Sequence, residues 1–188
     1  MNTKTNSFDE VQDEIVDLFT EEDGGQKFIF LTGAAGTGKT TLLERVKIQV
    51  DKKKMVVAPT GIAALNIGGT TINSAFRIGF DTIPEITKSK DPRFTKLLKN
   101  LELLIIDEIS MVRCDIVDVI DKILKAYRNN SKPFGGIQVM LIGDVFQLPP
   151  ILIGEKKNIL NQFYNSGFFF ESRIIQNTKL IHIELNKI

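Results

Sequence analysis

The run Gly33-Ala34-Ala35-Gly36-Thr37-Gly38-Lys39-Thr40 carries the spacing G-x-x-x-x-G-K-[ST], and every residue type in it suits a bound nucleoside triphosphate. Glycines let the backbone curl until successive N–H groups point inward at phosphate oxygens. The Lys39 ammonium can reach the outer phosphates, and the Thr40 hydroxyl can ligate Mg2+. A helix opening at this point adds the positive end of its dipole. Gly33, Ala35, Gly36, Thr37, Gly38, Lys39, Thr40 and Thr41 are therefore the candidate nucleotide-binding residues.

Leu103-Leu104-Ile105-Ile106 is an apolar run that ends abruptly in Asp107-Glu108. In a parallel sheet the ligand crevice lies beyond the carboxyl ends of the strands, so these acids would face the same mouth as the glycine-rich loop. Asp107 would hold the metal, mostly through water, and Glu108 would polarise the attacking water. Two acids closing a strand commonly make only a solvated turn; beside a phosphate loop they read as catalytic. Glu108 carries the most weight, because a pure binder needs no base. Gly143-Asp144-Val145-Phe146-Gln147-Leu148-Pro149-Pro150 follows another apolar run. It is either a site loop, with the Gln147 amide near the outer phosphate or its water, or a Pro-terminated turn. Ala58-Pro59-Thr60-Gly61 offers small residues and a hydroxyl at a helix start. That suits a phosphodiester backbone or a plain capped helix equally.

Such residues act together only if rigid elements bring them to one place. Val11, Ile15, Leu18 and Phe19 mark one stripe of an N-terminal helix, with Asp9, Glu10, Asp13 and Glu14 in its first turns, where the dipole favours acids. Residues 27–32 predict a doubly buried strand, 33–38 a loop, and 39 to about 50 a helix. The unit then recurs. Residues 55–58, 103–106, 137–142 and 180–185 predict strands. Residues 62–65, 72–76, 94–100 and 115–127 predict helices, the last with Ile116, Val119, Ile120, Ile123 and Leu124 on one face. Residues 77–93 show no periodicity. Alternating short apolar strands and helices imply an α/β domain with a parallel sheet covered on both faces. Residues 149–171 break the rhythm and read as an insertion.

With 188 residues, 43% apolar and 25% charged, the chain suits one full domain with a real core. It has no apolar run near the roughly 20 residues of a membrane span. The start shows no signal-peptide pattern, and the lone Cys114 has no disulfide or metal partner. A cytoplasmic protein is expected, nucleoid-associated if bacterial, with nucleus and mitochondrion left open. Net charge is +1, but residues 1–25 carry eight acids against one Lys, so the body is modestly basic. That balance is compatible with phosphate-rich ligands.

GAAGTGKT, APTGIAALNIGGTTINSAF, LLIIDEISMV, GGIQVMLIGDVFQLPP and FFFES, in this order and spacing, closely resemble the PIF family of DNA helicases, RecD-like members of helicase superfamily one. The resemblance covers roughly residues 27–185. It implies an ATP-driven motor moving 5′ to 3′ on single-stranded DNA and opening duplex or forked DNA, in repair, recombination or telomere maintenance. Carried over residue by residue, it makes Lys39 and Thr40 ligands of phosphate and Mg2+, Asp107 the metal-side acid and Glu108 the base. Gln147 becomes the γ-phosphate sensor with Asp144 beside it. Thr60, Gly61, Thr71, Asn73 and Phe76 lie along the DNA, and Gln12 is a candidate adenine contact. Asn73 stands where the family often has His.

The implied organisation is an N-terminal helix and linker (1–25), a RecA-like core (26–150), a wedge or pin (151–171) and a return to the core (172–188). A second RecA-like domain, with an arginine completing the site, is expected beyond residue 188. Without it the chain is expected to bind nucleotide weakly, turn over slowly and not unwind. Two other enzyme classes fit less well. An AAA-type remodelling ATPase shares the loop and the acids, but usually carries a polar sensor in the strand that here runs into GDVFQLPP. A nucleotide kinase needs an arginine lid, and the arginines here are scattered. A nucleotide-gated DNA-binding module without unwinding is the non-enzymatic alternative. Among the remaining residues, His182 and Cys114 read as structural, and Lys52-Lys53-Lys54 as a solvated loop. Phe168-Phe169-Phe170 reads as core or a domain seam, and Phe76 and Phe80 as core or base contacts. Lys88, Lys90, Arg93, Lys96 and Lys99 form either a solvated face or phosphate contacts.

Overall fold

The structure, a computed structural model, describes residues 8–21, 25–79, 89–151 and 155–186. Helix α1 (Phe8–Thr20) leads into β1 (Phe28–Gly33), α2 (Lys39–Gln49), β2 (Lys54–Ala58) and α3 (Gly61–Asn66). After these come β3 (Thr70–Thr71), α4 (Ile72–Phe76), α5 (Pro92–Asn100), β4 (Leu103–Ile106) and α6 (Cys114–Arg128). The last elements are β5 (Gln138–Ile142), α7 (Glu155–Leu160), α8 (Arg173–Gln176) and β6 (Ile181–Leu185). All strand pairs are parallel, in the order β3-β2-β4-β5-β1-β6. The expected elements are present with boundaries moved by one or two residues. The two-residue strand β3 is an addition, because Thr70-Thr71 is too short to show a period.

The sheet separates two apolar cores. Alternate strand residues point to opposite faces, so Leu104 and Ile106 of β4 join Val139 and Leu141 of β5 on one side. Leu103, Ile105, Met140 and Ile142 join the other side. The first face is covered by α4, α5 and α6, the second by α1, α2 and α3. Ile15 and Phe19 of α1 are fully buried, with Val11 and Leu18 packed beside them. Every residue of β4 is 0% exposed; at about 1.5–3 kcal/mol per buried aliphatic side chain, this strand alone anchors the fold.

Helix α6 departs from a simple apolar stripe, because Asp115, Asp118 and Asp121 are also buried. Asp115 is ion-paired with Arg113. Asp121 accepts the Phe134 N–H at 2.6 Å and pairs with Lys125 at 2.8 Å. Asp118 accepts the N–H groups of Arg173 and Ile174 at 3.1 and 2.9 Å, and the Tyr164 hydroxyl at 2.8 Å. It thus caps α8 and ties down the end of the segment between β5 and α8. That segment contains α7 and closes on the start of α6: the Cys114 thiol donates to Ser166 O at 3.3 Å, and the Cys114 N–H to Gly167 O at 3.0 Å. Burial and the neighbouring acids push the Cys114 thiol up to about 12, so it is a protonated structural group. Phe169 is buried against Phe30, whereas Phe170 is half-exposed. Lys54 lies in β2 rather than in a loop, and Lys52 donates to Gln138 Oε1 at 2.8 Å, correcting the expected solvated run.

Replacing Asp118 by Ala strands three donors, of which the Ile174 N–H is buried and the other two are partly so. We expect Asp118→Ala to cost about 2–4 kcal/mol, against about 1 kcal/mol for Tyr164→Phe. Urea midpoints of the two variants measure the difference.

Candidate active site

The mouth lies at the carboxyl end of three adjacent strands. β5 pairs with β1 on one side and β4 on the other, so the loop after β1 and the acids after β4 stand about 10 Å apart, two strand spacings. The loop after β5 fills the space between them.

The glycine-rich turn is held by its own residues. Gly33 has φ 155°, and a Cβ there would sit 2.6 Å from both Leu185 O and Thr37 Oγ1. The last residue of β6 therefore backs the loop so closely that only glycine fits. Gly38 takes φ 91° as the N-cap of α2. The Thr37 hydroxyl donates to Ala34 O at 2.9 Å. Lys39 folds back over the turn and donates to the carbonyls of Gly33 and Ala34 at 2.5 and 3.0 Å. Ala35, Gly36, Thr40 and Thr41 are exposed at the mouth.

Asp107 is fixed by its backbone, whose N–H donates to Val57 O at 2.9 Å. Burial raises its carboxyl pKa, a trend that the Glu108 N–H and the Lys39 charge oppose. Burial also raises Glu108, first of all, with further pushes from the charges of Asp107 and Asp144; Lys39 again opposes. These couplings place Lys39, Asp107, Glu108 and Asp144 in one electrostatic neighbourhood. Glu108 has left-handed backbone, φ 50° and ψ 42°, a conformation uncommon for a residue with a side chain and characteristic of functional positions. Gly143 sits directly behind it: a Cβ there would lie 2.9 Å from Ile109 Cγ2 and 3.1 Å from the Ile109 N.

Asp144 is buried, and both its oxygens are engaged, one by the Phe146 N–H at 3.0 Å and the other by the Gln147 amide at 3.2 Å. It organises the loop that presents Gln147, whose side chain is exposed. The oxygen donors fit Mg2+: Thr40 offers a hydroxyl and Asp107 a carboxylate, the sparse hard set that this ion uses alongside phosphate and water. No group of three His, Cys, Asp or Glu that could hold a metal occurs among the described residues.

The residues expected along a nucleic-acid path fall at the adjoining sheet edge, where β2 and β3 pair through Ala58 and Thr71. Thr60 caps α3, accepting the Ala63 N–H at 3.2 Å, and Gly61 is exposed beside it. Thr71 caps α4, accepting the Ser74 N–H at 3.2 Å. Asn73 donates to Ile78 O at 3.0 Å. Phe76 is 2% exposed and belongs to the core, which corrects its nomination as a base contact; Phe80 lies outside the described residues. Gln12 is buried, accepting from Arg45 at 2.6 Å, while its Nε2 has no partner. His182 is exposed on β6 and stacks on Phe30, ring centroids 5.3 Å apart. The role of Leu185 in backing the loop had no sequence signal. The loop-organising role of Asp144 had a faint one, an Asp with a backbone N–H two residues on.

A parallel sheet with this strand order, and a phosphate-loop turn at its carboxyl edge, define a RecA-like P-loop NTPase fold. The chain belongs to the PIF1-like helicase family, whose model matches residues 4–187. It is 35% identical over 179 residues to the ATP-dependent DNA helicase RRM3 of Saccharomyces cerevisiae, covering 90% of this chain and 24% of that protein. It is 37% identical over 164 residues to the ATP-dependent DNA helicase PIF1 of Homo sapiens, covering 85% and 24%. The crystal structure of Pif1 helicase from Bacteroides in complex with ADP-AlF3 and ssDNA superposes with a TM-score of 0.87 at 42% identity, over 95% of this chain and 42% of that one. The chain thus spans about a quarter of the length of these two curated relatives. No described helix is long and apolar enough to cross a membrane.

A carboxyl group raised in the folded protein stabilises it below its ordinary pKa, and that contribution is lost as pH rises through the raised value. At neutral pH the mouth therefore carries the cost of two carboxylates withdrawn from water, to which the Asp107 charge adds at Glu108. Glu108→Gln should raise the Tm of the nucleotide-free protein by about 1–3 °C at pH 7. The gain should shrink towards pH 4, as the parent carboxyl protonates. Calorimetry at the two pH values tests both the sign and the trend.

Proposed function

We propose that this chain is the first motor domain of an ATP-dependent DNA helicase that steps 5′ to 3′ along single-stranded DNA and opens duplex or forked DNA ahead of it. The carrying observation is that the glycine-rich turn after β1, the acids Asp107 and Glu108 after β4 and the Asp144–Gln147 loop after β5 meet at the carboxyl edge of three adjacent parallel strands. The names of the relatives, ATP-dependent DNA helicases, and the Bacteroides complex with ADP-AlF3 and ssDNA point the same way.

In this reading the N–H groups of Gly33–Thr40 and the Lys39 ammonium bind the β- and γ-phosphates of ATP. Thr40 and Asp107 hold Mg2+, which when bound neutralises phosphate charge. Glu108 orients and deprotonates the attacking water; its raised pKa brings it closer to neutral pH and makes it a better base than a free carboxylate. Gln147, steadied by Asp144, contacts the γ-phosphate. Nucleotide binding draws Lys39 away from the Gly33 and Ala34 carbonyls, so the turn exchanges an internal cation for the ligand.

The strand of DNA passes the caps of α3 and α4, touching Thr60, Gly61, Thr71 and Asn73; Phe76 supports that edge from within the core. Residues 26–150 and 172–188 form the RecA-like unit, 1–25 its N-terminal helix and linker, and 151–171 the wedge or pin. A second RecA-like domain of the same polypeptide completes the site with an arginine, an addition that can be worth about 10³–10⁵ in rate. Such a motor works where DNA is, in a nucleoid or a DNA-bearing organelle.

ATP turnover should rise many-fold when single-stranded DNA is added to a polypeptide extended past residue 188. Glu108→Gln in it should lose about 10²-fold or more in turnover while still binding nucleotide. No stimulation by any DNA would sink the motor reading, and full turnover in the Gln variant would remove Glu108 from its role.

A further inference from the structure

We propose that the outward face of α5 is a phosphate-binding strip that grips the backbone of duplex DNA. The partner class rests on the motor reading above, whereas the strip itself rests on separate observations. α5 buries Phe94 and Leu98 and turns Arg93, Lys96 and Lys99 to solvent. Steps of three residues put these cations on one face, over about 9 Å of helix axis. Lys90, just before the helix, is exposed as well. Arg93 lies 4.0 Å from one Asp91 oxygen while Arg77 holds the other at 2.6 Å, so one carboxylate is shared between two guanidinium groups and neutralises only part of their charge. Between Arg93 and Asn100 the helix contains no acid, so the strip keeps its positive charge.

The helix is held rigidly under that face. Phe94 packs edge-on to Tyr127, ring centroids 5.3 Å apart, and the Arg77 guanidinium lies over its ring at 4.3 Å. At the other end Arg128 Nη1 donates to the carbonyls of Leu98, Lys99 and Leu101 at 3.0, 2.7 and 2.7 Å. That guanidinium covers the negative end of the helix dipole, which would otherwise repel a phosphate. The cations therefore project from a fixed stage, and only their own side chains need ordering.

The chemistry favours a duplex over a single strand. Single-strand grips stack bases on aromatic side chains, and the one aromatic residue of α5, Phe94, is buried. A strand of a duplex presents a phosphate about every 3.4 Å along the axis, so a 9 Å strip meets roughly two or three. The strip also begins in the right place. The Arg77–Asp91 pair joins the start of α5 to the end of α4, whose Thr71 cap lies on the edge assigned to the single strand.

The test is Arg93→Gln/Lys96→Gln/Lys99→Gln, three exposed changes to a good helix former, compared with the parent by fluorescence anisotropy across a salt series. The probes are a short single strand and the same strand carrying a duplex arm. The strip predicts that the slope of log affinity against log salt on the arm-bearing DNA falls by about 2–3, near 0.9 for each phosphate that the variant no longer neutralises. The slope on the single strand should not change, and Tm should stay within about 1 °C. An equal fall on both probes would assign the strip to the single strand and overturn the proposal. Unchanged slopes on both would leave a solvated face or a protein-binding one, and overturn it too. A parent that fails to bind single strands counts against the motor reading alone, provided the arm-dependent slope remains. A parent that binds neither probe defeats both.

Discussion

The chemistry at the mouth depends on one packing fact: β5 lies between β1 and β4, parallel to both. That order sets the phosphate turn and the two acids two strand spacings apart, far enough to admit phosphates and close enough for one lysine to feel both carboxylates. The strands can be so placed because they are apolar on both faces. β4 carries no polar side chain until Asp107 and is wholly buried. A strand of this kind hides its carboxylates until its final residues, where the sheet ends and solvent begins. Burial then raises both acids, and Lys39 works against the rise. The protein thus holds two carboxylates at a cost set first by burial and then by their neighbours' charges, a cost that a cation beside them would lower. Stability is given up at the position where affinity is wanted.

The backbone makes a parallel concession. Gly33 leaves room for Leu185 O, and Gly143 leaves room for the turn that begins at Ile109. Both glycines stand at strand ends that converge on the mouth, and at both a methyl group would push β6 or the Glu108 turn outward. Glu108 itself adopts left-handed backbone with a full side chain. Glycine would be easier there by about 1 kcal/mol, so the carboxylate is being kept against local preference. The buried Ile109 and Ser110 that follow it, and the fully buried β4 before it, supply the stability that holds it.

Much of this was legible in the residues themselves. A continuous apolar run bounded by turn residues suits a doubly covered strand, so LLII and QVMLI announced parallel neighbours, and G-x-x-x-x-G-K-T announced the turn between strand and helix. What stayed hidden was whatever depends on contacts distant in sequence. The period of α6 gave its apolar face but not the burial of Asp118, which is intelligible only once Tyr164 and α8 return to meet it. Phe76 follows a run of small polar residues that left it open to a base contact; its ring is in the core because α4 is one turn long and caps the sheet edge. β3 is two residues long and exists only because β2 offers it a partner. Thr60 and Thr71 carried two readings from sequence alone. Their hydroxyls do cap helices, which is the plainer of the two.

The mouth is also open on one side, and this bears on rate. Thr40 and Gln147 are exposed, and on either side of Gln147 the rim carries Phe146 at 96%, Leu148 at 68% and Ile151 at 73% exposure. Water reaching the phosphates screens Lys39 and competes for the outer oxygens, so each electrostatic contact is worth a fraction of its value in a dry site. Those apolar rim residues follow directly on the loop that Asp144 steadies. A surface that buried them would also be seated against Gln147, excluding water from the γ-phosphate in the same movement. Gains from covering the rim and from strengthening the charges beneath it then arrive together. Closure over this rim and chemistry at the mouth would then be linked through the residues of one loop, with no need for a signal to cross the domain.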